Sequence, residues 1–210
     1  MAKKVSVEPT TNGPNRVNNL RKFNNSKGKK LSTESEMYLC RCGGSSNKPY
    51  CDGTHRNNGF TSEKSPDRVP DKMDTYTGKD ITIHDNRGVC AHSGNCTDNS
   101  PLVFNTGKEP WINPDADDAE VTANTIRKCP SGALSYKKDG ILYEDQERDP
   151  GITISKDGPH HVVGSIKLND PEGSKPESEE HYTLCRCGAS KNKPFCSGEH
   201  WHIGFTDDKN

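Results

Sequence analysis

Nine cysteines fall into three sets of three along this chain, and two of the sets end in a cysteine followed four residues later by a histidine. The first set is Cys40, Cys42 and Cys51 with His55, and the second is Cys185, Cys187 and Cys196 with His200. They lie in matching stretches, YLCRCGGSSNKPYCDGTHRNNGF from Tyr38 and TLCRCGASKNKPFCSGEHWHIGF from Thr183, at a constant offset of 145 residues. The offset holds without a gap from Gly13-Pro14 and its partner Gly158-Pro159 to Phe60 and Phe205, so one metal-binding module is duplicated. Two thiolates one residue apart on a bent backbone share one metal ion, and a cysteine and a histidine four apart come to one face after a helical turn. Structural zinc uses CxxC more often than CxC. Three thiolates and an imidazole fit either zinc or a 2Fe-2S cluster of mixed ligation, and the spacing leaves both open.

The third set is Cys90 and Cys96 in RGVCAHSGNC and, far downstream, Cys129 in CPSGAL. An odd cysteine count with no secretory signal speaks against a disulfide framework and for metal ligation in a reducing compartment. The start MAKKVSVEP has no apolar stretch, and no segment approaches the roughly 20 apolar residues of a membrane span, so a cytoplasmic protein with no membrane partner is expected.

The run from Cys40 to His55, CxCxxSxxxPxCDGTH, resembles the signature of the CDGSH iron-sulfur family, to which the mitoNEET-like proteins belong. The resemblance implies a 2Fe-2S cluster in each copy: Cys40 and Cys42 on one iron with Cys51 and His55 on the other, and Cys185, Cys187, Cys196 and His200 likewise. The second copy departs from the signature where Ser197 replaces Asp52 and Glu199 replaces Thr54, which alters the charge beside the ligands but not the ligands. Members with one motif pair through interlocking strands into dimers, so here the resemblance implies a pseudo-twofold pairing of two modules on one chain. The middle set resembles bacterial-type ferredoxins, whose distant cysteine is followed by proline. Against that pattern Cys90, Cys96 and Cys129 are present and Ser93 stands where another cysteine belongs. A cubane lacking a ligand at one corner loses that iron, which implies a 3Fe-4S cluster. The alternative is a 4Fe-4S cluster with His92, Ser93 or water at the fourth corner. His92 otherwise reads as a hydrogen-bond donor to sulfur.

The elements that must position these ligands are small. With 28% hydrophobic and 28% charged residues, 19 Gly and 14 Pro in 210, one large core is out of reach, and modules of roughly 60 to 80 residues need metal staples. The expected fold is α+β, with two β-rich CDGSH modules (1–70 and 151–210) flanking an inserted ferredoxin-like domain (71–150). In the second module Ile152–Ile154, Val162–Leu168 and His181–Leu184 read as strands, with His160-His161 in a polar turn. In the first module Val5–Val7 and Met37–Leu39 read as strands with a weakly structured Asn- and Lys-rich stretch between them. Short helices are expected after Cys51 and Cys196, ending at Gly59 and Gly204. In the middle, Ile81–Ile83 reads as a strand, Asp117 or Asp118 caps a helix reaching Lys128 with Val121, Thr125 and Ile126 inward, and Ser135–Tyr143 forms a hairpin at Asp139-Gly140. His84, His181 and His202 read as surface or packing residues. Trp111 and Trp201 shield cluster loops or fill small cores.

Residues 1–70 are basic and 71–150 acidic, for a net charge of −1. The lysines and arginines ahead of Cys40 (Lys3, Lys4, Arg16, Arg21, Lys22, Lys27, Lys29, Lys30) have no interleaved aromatics for base stacking, so they read as a solvated face and no nucleic-acid partner is expected. A second reading docks this face on the acidic middle segment or on an acidic redox partner. No GxSxG, P-loop or GxGxxG pattern marks an enzyme. Three clusters in one chain suit electron transfer. The alternatives are a cluster donor or redox and iron sensor, and a purely structural metal module. The partners implied are a redox protein or an apo-acceptor of clusters, with the chain itself a monomer.

Overall fold

The computed structural model describes residues 4–210, so Lys3 of the basic cluster lies outside the described residues. The first segment forms β1 (Ser6–Pro9), β2 (Asn15–Asn18), β3 (Lys22–Asn24) and β4 (Glu36–Leu39). The middle forms β5 (Met73–Thr77), β6 (Thr82–Asn86), α1 (Asn95–Asn99), α2 (Ala119–Ile126), β7 (Leu134–Lys138) and β8 (Ile141–Tyr143). The last forms β9 (Gly151–Ile154), β10 (His160–Val163), β11 (Lys167–Leu168), β12 (Tyr182–Leu184) and α3 (Glu199–His202). The strands make three four-stranded sheets, ordered β11-β1-β2-β4, β12-β10-β9-β3 and β5-β6-β7-β8, which with few short helices is an α+β fold.

Each outer sheet takes an edge strand from the other end of the chain. β3 runs parallel to β9, with Phe23 opposite Ile152, and β11 runs parallel to β1, with Ser6 opposite Lys167. Such edges would otherwise present unpaired N–H and C=O groups. This exchange corrects two sequence expectations. The Asn- and Lys-rich stretch is not weakly structured but contains β2 and β3, and β3 was illegible because its partner is remote and only Phe23 of its three residues is buried. The expected strand Val162–Leu168 is broken at Gly164-Ser165, both of positive φ (80° and 54°), which releases β11 toward the first sheet. A Cβ at Gly164 would lie 2.4 Å from the Pro150 backbone nitrogen, so the break requires glycine. His160-His161 is not a turn either: both lie in β10, and His160 is fully buried.

The two outer sheets share one core that includes Val7, Phe23, Leu39, Ile152, Val162 and Leu184, and Val89 and Ala133 of the middle domain join it. Truncating a buried aromatic typically removes about 3 to 5 kcal/mol. Phe23→Ala is therefore expected to destabilise the sheet at the other end of the sequence by that order, measured by denaturant unfolding.

The middle sheet closes on a second core of Ile83, Phe104, Ile112, Ala123 and Tyr136. Asp118 caps α2 as expected, its carboxylate accepting from the amides of Glu120 (2.8 Å) and Val121 (3.2 Å). The helix stops at Ile126, short of Lys128, where turn bonds from Lys128 and Cys129 to the Thr125 and Ile126 carbonyls precede Pro130. It buries Thr122, Ala123, Thr125 and Ile126, so Val121, expected inward, is out of phase and exposed. The β7–β8 hairpin turns at Asp139-Gly140, both of positive φ, as the twist of a two-residue loop requires. Among the described residues no helix is long and apolar enough to cross a membrane.

Candidate metal centres

Both duplicated sites are built by a strand end folding back on itself. After β4 the chain leaves through Cys40 and Cys42 and returns, with the Cys40 amide donating to the Pro49 carbonyl and the Cys51 amide to the Tyr38 carbonyl (2.8 Å each). After β12 the Cys185 and Cys196 amides make the same bonds to Pro194 and Thr183. The ligand candidates thereby meet in pairs. Cys40 Sγ is 3.9 Å from Cys42 Sγ, and Cys51 Sγ is 3.4 Å from His55 Nδ1. In the second copy the distances are 3.8 Å for Cys185–Cys187 and 3.4 Å for Cys196–His200. The Gly53 and Gly198 amides point at the Cys51 and Cys196 sulfurs (3.4 and 3.5 Å) from the left-handed residues that open the short helices Thr54–Arg56 and α3. Among the described residues no three metal-binding side chains gather as a single-ion site, and all nine cysteines are free.

The two sites abut. Cys42 and Cys187 bridge as antiparallel neighbours, and a Cβ added at Gly43 or Gly188 would lie 2.5 or 2.6 Å from the carbonyl oxygen of the opposite cysteine. Gly43→Ala is expected to cost about 2 kcal/mol or more by thermal unfolding, from left-handed strain added to overlap with backbone. Gly53→Ala, also left-handed but with nothing within 4 Å, should lose less, about 1 to 2 kcal/mol from backbone strain alone.

Two arginines that the sequence reading did not single out complete these sites. Arg41 and Arg186, each between the paired cysteines, are buried, and donate from Nε to the Gly13 and Gly158 carbonyls (3.0 and 2.7 Å). Their occurrence in both copies of CRC was the available signal. Burial lowers the pKa of both guanidinium groups, and the first cysteine of the opposite copy opposes that shift in each, Cys185 for Arg41 and Cys40 for Arg186. Arg186 also pairs with buried Asp207, whereas Arg41 at the matching place meets only the Ser62 hydroxyl. The departures from the signature are accommodated locally. Asp52 accepts from the Ser46 amide (2.8 Å) and from Thr54 N (3.0 Å) and Oγ1 (2.6 Å), bonds that lower its carboxyl pKa to about 2. Ser197 accepts the matching bond from the Lys191 amide (3.0 Å), and Glu199 turns to Lys191 Nζ (3.6 Å).

The copies differ in cover. Cys185, Cys187, Cys196 and His200 are all buried, while Cys42, Cys51 and His55 are partly exposed. Burial pushes the Cys40 thiol up to about 11 and Cys196 well up. In the Cys185–Cys187 pair the bond between the thiols eases the first ionisation, at Cys185, and drives that of Cys187 up. Thiolates this costly to form in isolation suit a bound cation that takes the place of their protons.

In the middle domain Cys90, Cys96 and Cys129 line one cavity of about 250 Å³, together with His92, Ser93 and Trp111. Cys90 and Cys96 flank the loop before and within α1, and Cys129 follows α2. Burial raises the Cys90 thiol to about 11 and Cys96 in the same direction. The His92 amide donates to Cys90 Sγ (3.4 Å). Arg87, a further residue the sequence reading missed, stacks 3.8 Å over the Trp111 ring, with Nη1 3.8 Å from Cys90 Sγ. Trp111 thus faces the cysteines, while Trp201 is largely exposed and donates its indole N–H to the His92 carbonyl (3.2 Å). His84 and His202 are outside these groups. His181 is buried against Ser178 and Glu180, the latter also paired with Arg148.

Comparison with known proteins follows this layout. The family described as iron-binding zinc finger CDGSH type matches residues 12–56 and again 157–201, and the family described as divergent 4Fe-4S mono-cluster matches residues 76–139. Uncharacterized protein YjdI of Escherichia coli K12 is 44% identical over 62 residues, which is 30% of this chain and 82% of that protein. The protein of the same description from Escherichia coli O157:H7 matches equally. No solved structure matches.

Proposed function

Since the chain belongs to the iron-binding CDGSH family, with a divergent mono-cluster domain between its two motifs, we propose that this iron-sulfur protein carries three clusters and transfers single electrons. The observation that carries the proposal is the grouping of donors into a Cys–Cys and a Cys–His pair at each duplicated site, side by side across the Cys42–Cys187 bridge. Pairs of donors suit a two-iron group, one pair to each iron, and the two modules then form one pseudo-twofold unit. Cys40, Cys42, Cys51 and His55 hold one 2Fe-2S cluster and Cys185, Cys187, Cys196 and His200 the other. Cys90, Cys96 and Cys129 hold a 3Fe-4S cluster. The 4Fe-4S alternative is favoured by the family description and by His92 and Ser93 lining the same cavity. The clusters supply reversible one-electron chemistry. The chain holds them, directs the Gly53 and Gly198 amides at their sulfur ligands, sets two buried guanidinium charges beside them and limits water.

Iron and sulfide quantitation with EPR of the oxidised and reduced protein tests this. Seven irons and both reduced 2Fe-2S signals are the expected result with a three-iron middle site, and zinc in a colourless protein would overturn it. A second reading, cluster donation to an apo-acceptor, is favoured by the exposure of Cys51 and His55 in the first copy alone. Transfer assays separate the two readings: clusters that cycle in place support electron transfer, and clusters that leave on mixing with an apo-ferredoxin support donation.

The duplicated sites should also titrate apart. Asp52, the buried Asp207 and the unequal exposure place different charge and solvent around them, and effects on the order of 1 kcal/mol correspond to about 50 mV for one electron. Redox titration is expected to resolve two 2Fe-2S midpoints, and a single shared midpoint in variants retaining one site each would contradict this.

A further inference from the structure

The middle domain meets the two duplicated sites unequally. At Gly198, whose amide points at Cys196 Sγ, an added Cβ would lie 2.9 to 3.1 Å from three atoms of the His92 side chain, so that side chain lies against the second ligand loop. At Gly53, the matching residue of the first copy, nothing lies within 4 Å. The Trp201 indole, from the same ligand loop as Gly198, donates to the His92 carbonyl, and buried Asn192 donates to the Gly88 carbonyl (2.7 Å), fixing the loop just ahead of Cys90. The backbone of His92, in the left-handed region at φ 51°, donates to Cys90 Sγ. One residue therefore touches a sulfur ligand candidate of the middle site through its amide and the Cys196–His200 loop through its side chain.

We propose that His92 is the bridge that couples the middle site to the second CDGSH site specifically, so that the first site communicates with the middle only through the second, across the Cys42–Cys187 contact. This rests on the electron-transfer reading. The step it serves is the movement of one electron between two sites of the same molecule: one is oxidised by one electron, the other reduced by one, and no bond or proton need change. His92 acts here by position, filling with packed atoms and a hydrogen-bonded backbone a gap that water would otherwise occupy.

The test uses the full iron-loaded chain, fully reduced so that the 2Fe-2S clusters and the middle cluster are paramagnetic, and reads EPR power saturation. His55→Cys and His200→Cys each mark one 2Fe-2S signal by changing its shape. The expected result is that the signal marked by His200→Cys relaxes fast, and that Cys129→Ala, by emptying the middle site, abolishes this enhancement. In rapid-mixing experiments His92→Ala should lose the fast equilibration between the middle and second sites, with iron analysis of the variant reporting whether the middle cluster is retained. If His92→Ala releases the middle cluster, Trp201→Phe, which removes only the indole donor to the His92 carbonyl, should weaken the same equilibration. Fast relaxation of the signal marked by His55→Cys, equal relaxation of both, or unaltered equilibration in these variants overturns the proposal while leaving electron transfer intact. Loss of the clusters on reduction instead defeats the electron-transfer reading itself.

Discussion

Ser93→Cys is expected to raise the iron content of the middle domain from three to four and to abolish the EPR signal of the oxidised protein. Cys90, Cys96 and Cys129 line one cavity, and Ser93 lines it with them on the loop between the first two. A serine hydroxyl is a poor ligand for iron beside three thiolates, so on the proposed reading the cluster lacks a ligand at one corner and is expected to hold three irons. An oxidised three-iron cluster has an unpaired spin, whereas oxidised 2Fe-2S and 4Fe-4S clusters of this class are silent. A thiolate at position 93 closes the cube and removes the signal in one step. Iron analysis of the Cys129→Ala protein measures the other two sites alone. Four irons in the unaltered middle domain, with His92 or Ser93 bound to the fourth, would refute the vacant corner.

His55→Cys should have the next largest effect, on both potential and acid stability. Exchanging a neutral imidazole for a thiolate adds one negative charge to the site and is expected to lower its midpoint on the order of 100 mV or more, judged from the gap between His-ligated and all-Cys 2Fe-2S centres. Iron and proton compete for the same imidazole nitrogen, so acid drives release from the native site and the substitution should slow it. His200→Cys should shift its own site in the same direction. Release on acidification should nevertheless be slower at the second site, because His200 is buried and His55 is not. Loss of the visible absorbance after a drop in pH reports this, and identical rates at the two sites would show that exposure does not govern release.

The donor pairs were legible because their logic is local: CxC followed by CxxxH is a property of a few neighbouring residues, and the duplication repeats it. The Asp118 cap and the Asp139-Gly140 hairpin were legible for the same reason. The exchanged strands were not. Nothing in Lys22-Phe23-Asn24 indicates a strand unless β9 is already beside it, and β11 is two residues long. His160 misled because a His-His pair after Gly-Pro has the composition of a turn, while strand pairing with Ile154 and Leu184 carries it into the core. Arg41 and Arg186 were overlooked for a related reason. A charged residue between two ligands reads as solvent-facing until the fold closes over it.

The exchange of β3 and β11 has a consequence for the order in which the protein can be assembled. The partner that completes the first sheet is encoded near Lys167, beyond the whole middle domain, so the Cys40–His55 loop can be made long before the sheet behind it is complete. Contacts between segments so distant in sequence form slowly, because the intervening chain must first be brought together. During synthesis the first site therefore offers its thiols well before its sheet is complete, whereas the ligands of the second site, Cys185 to His200, emerge only after every strand of its own sheet has been made. The first site thus passes through a stage of synthesis in which its ligands exist without their complete sheet, and the second site has no such stage.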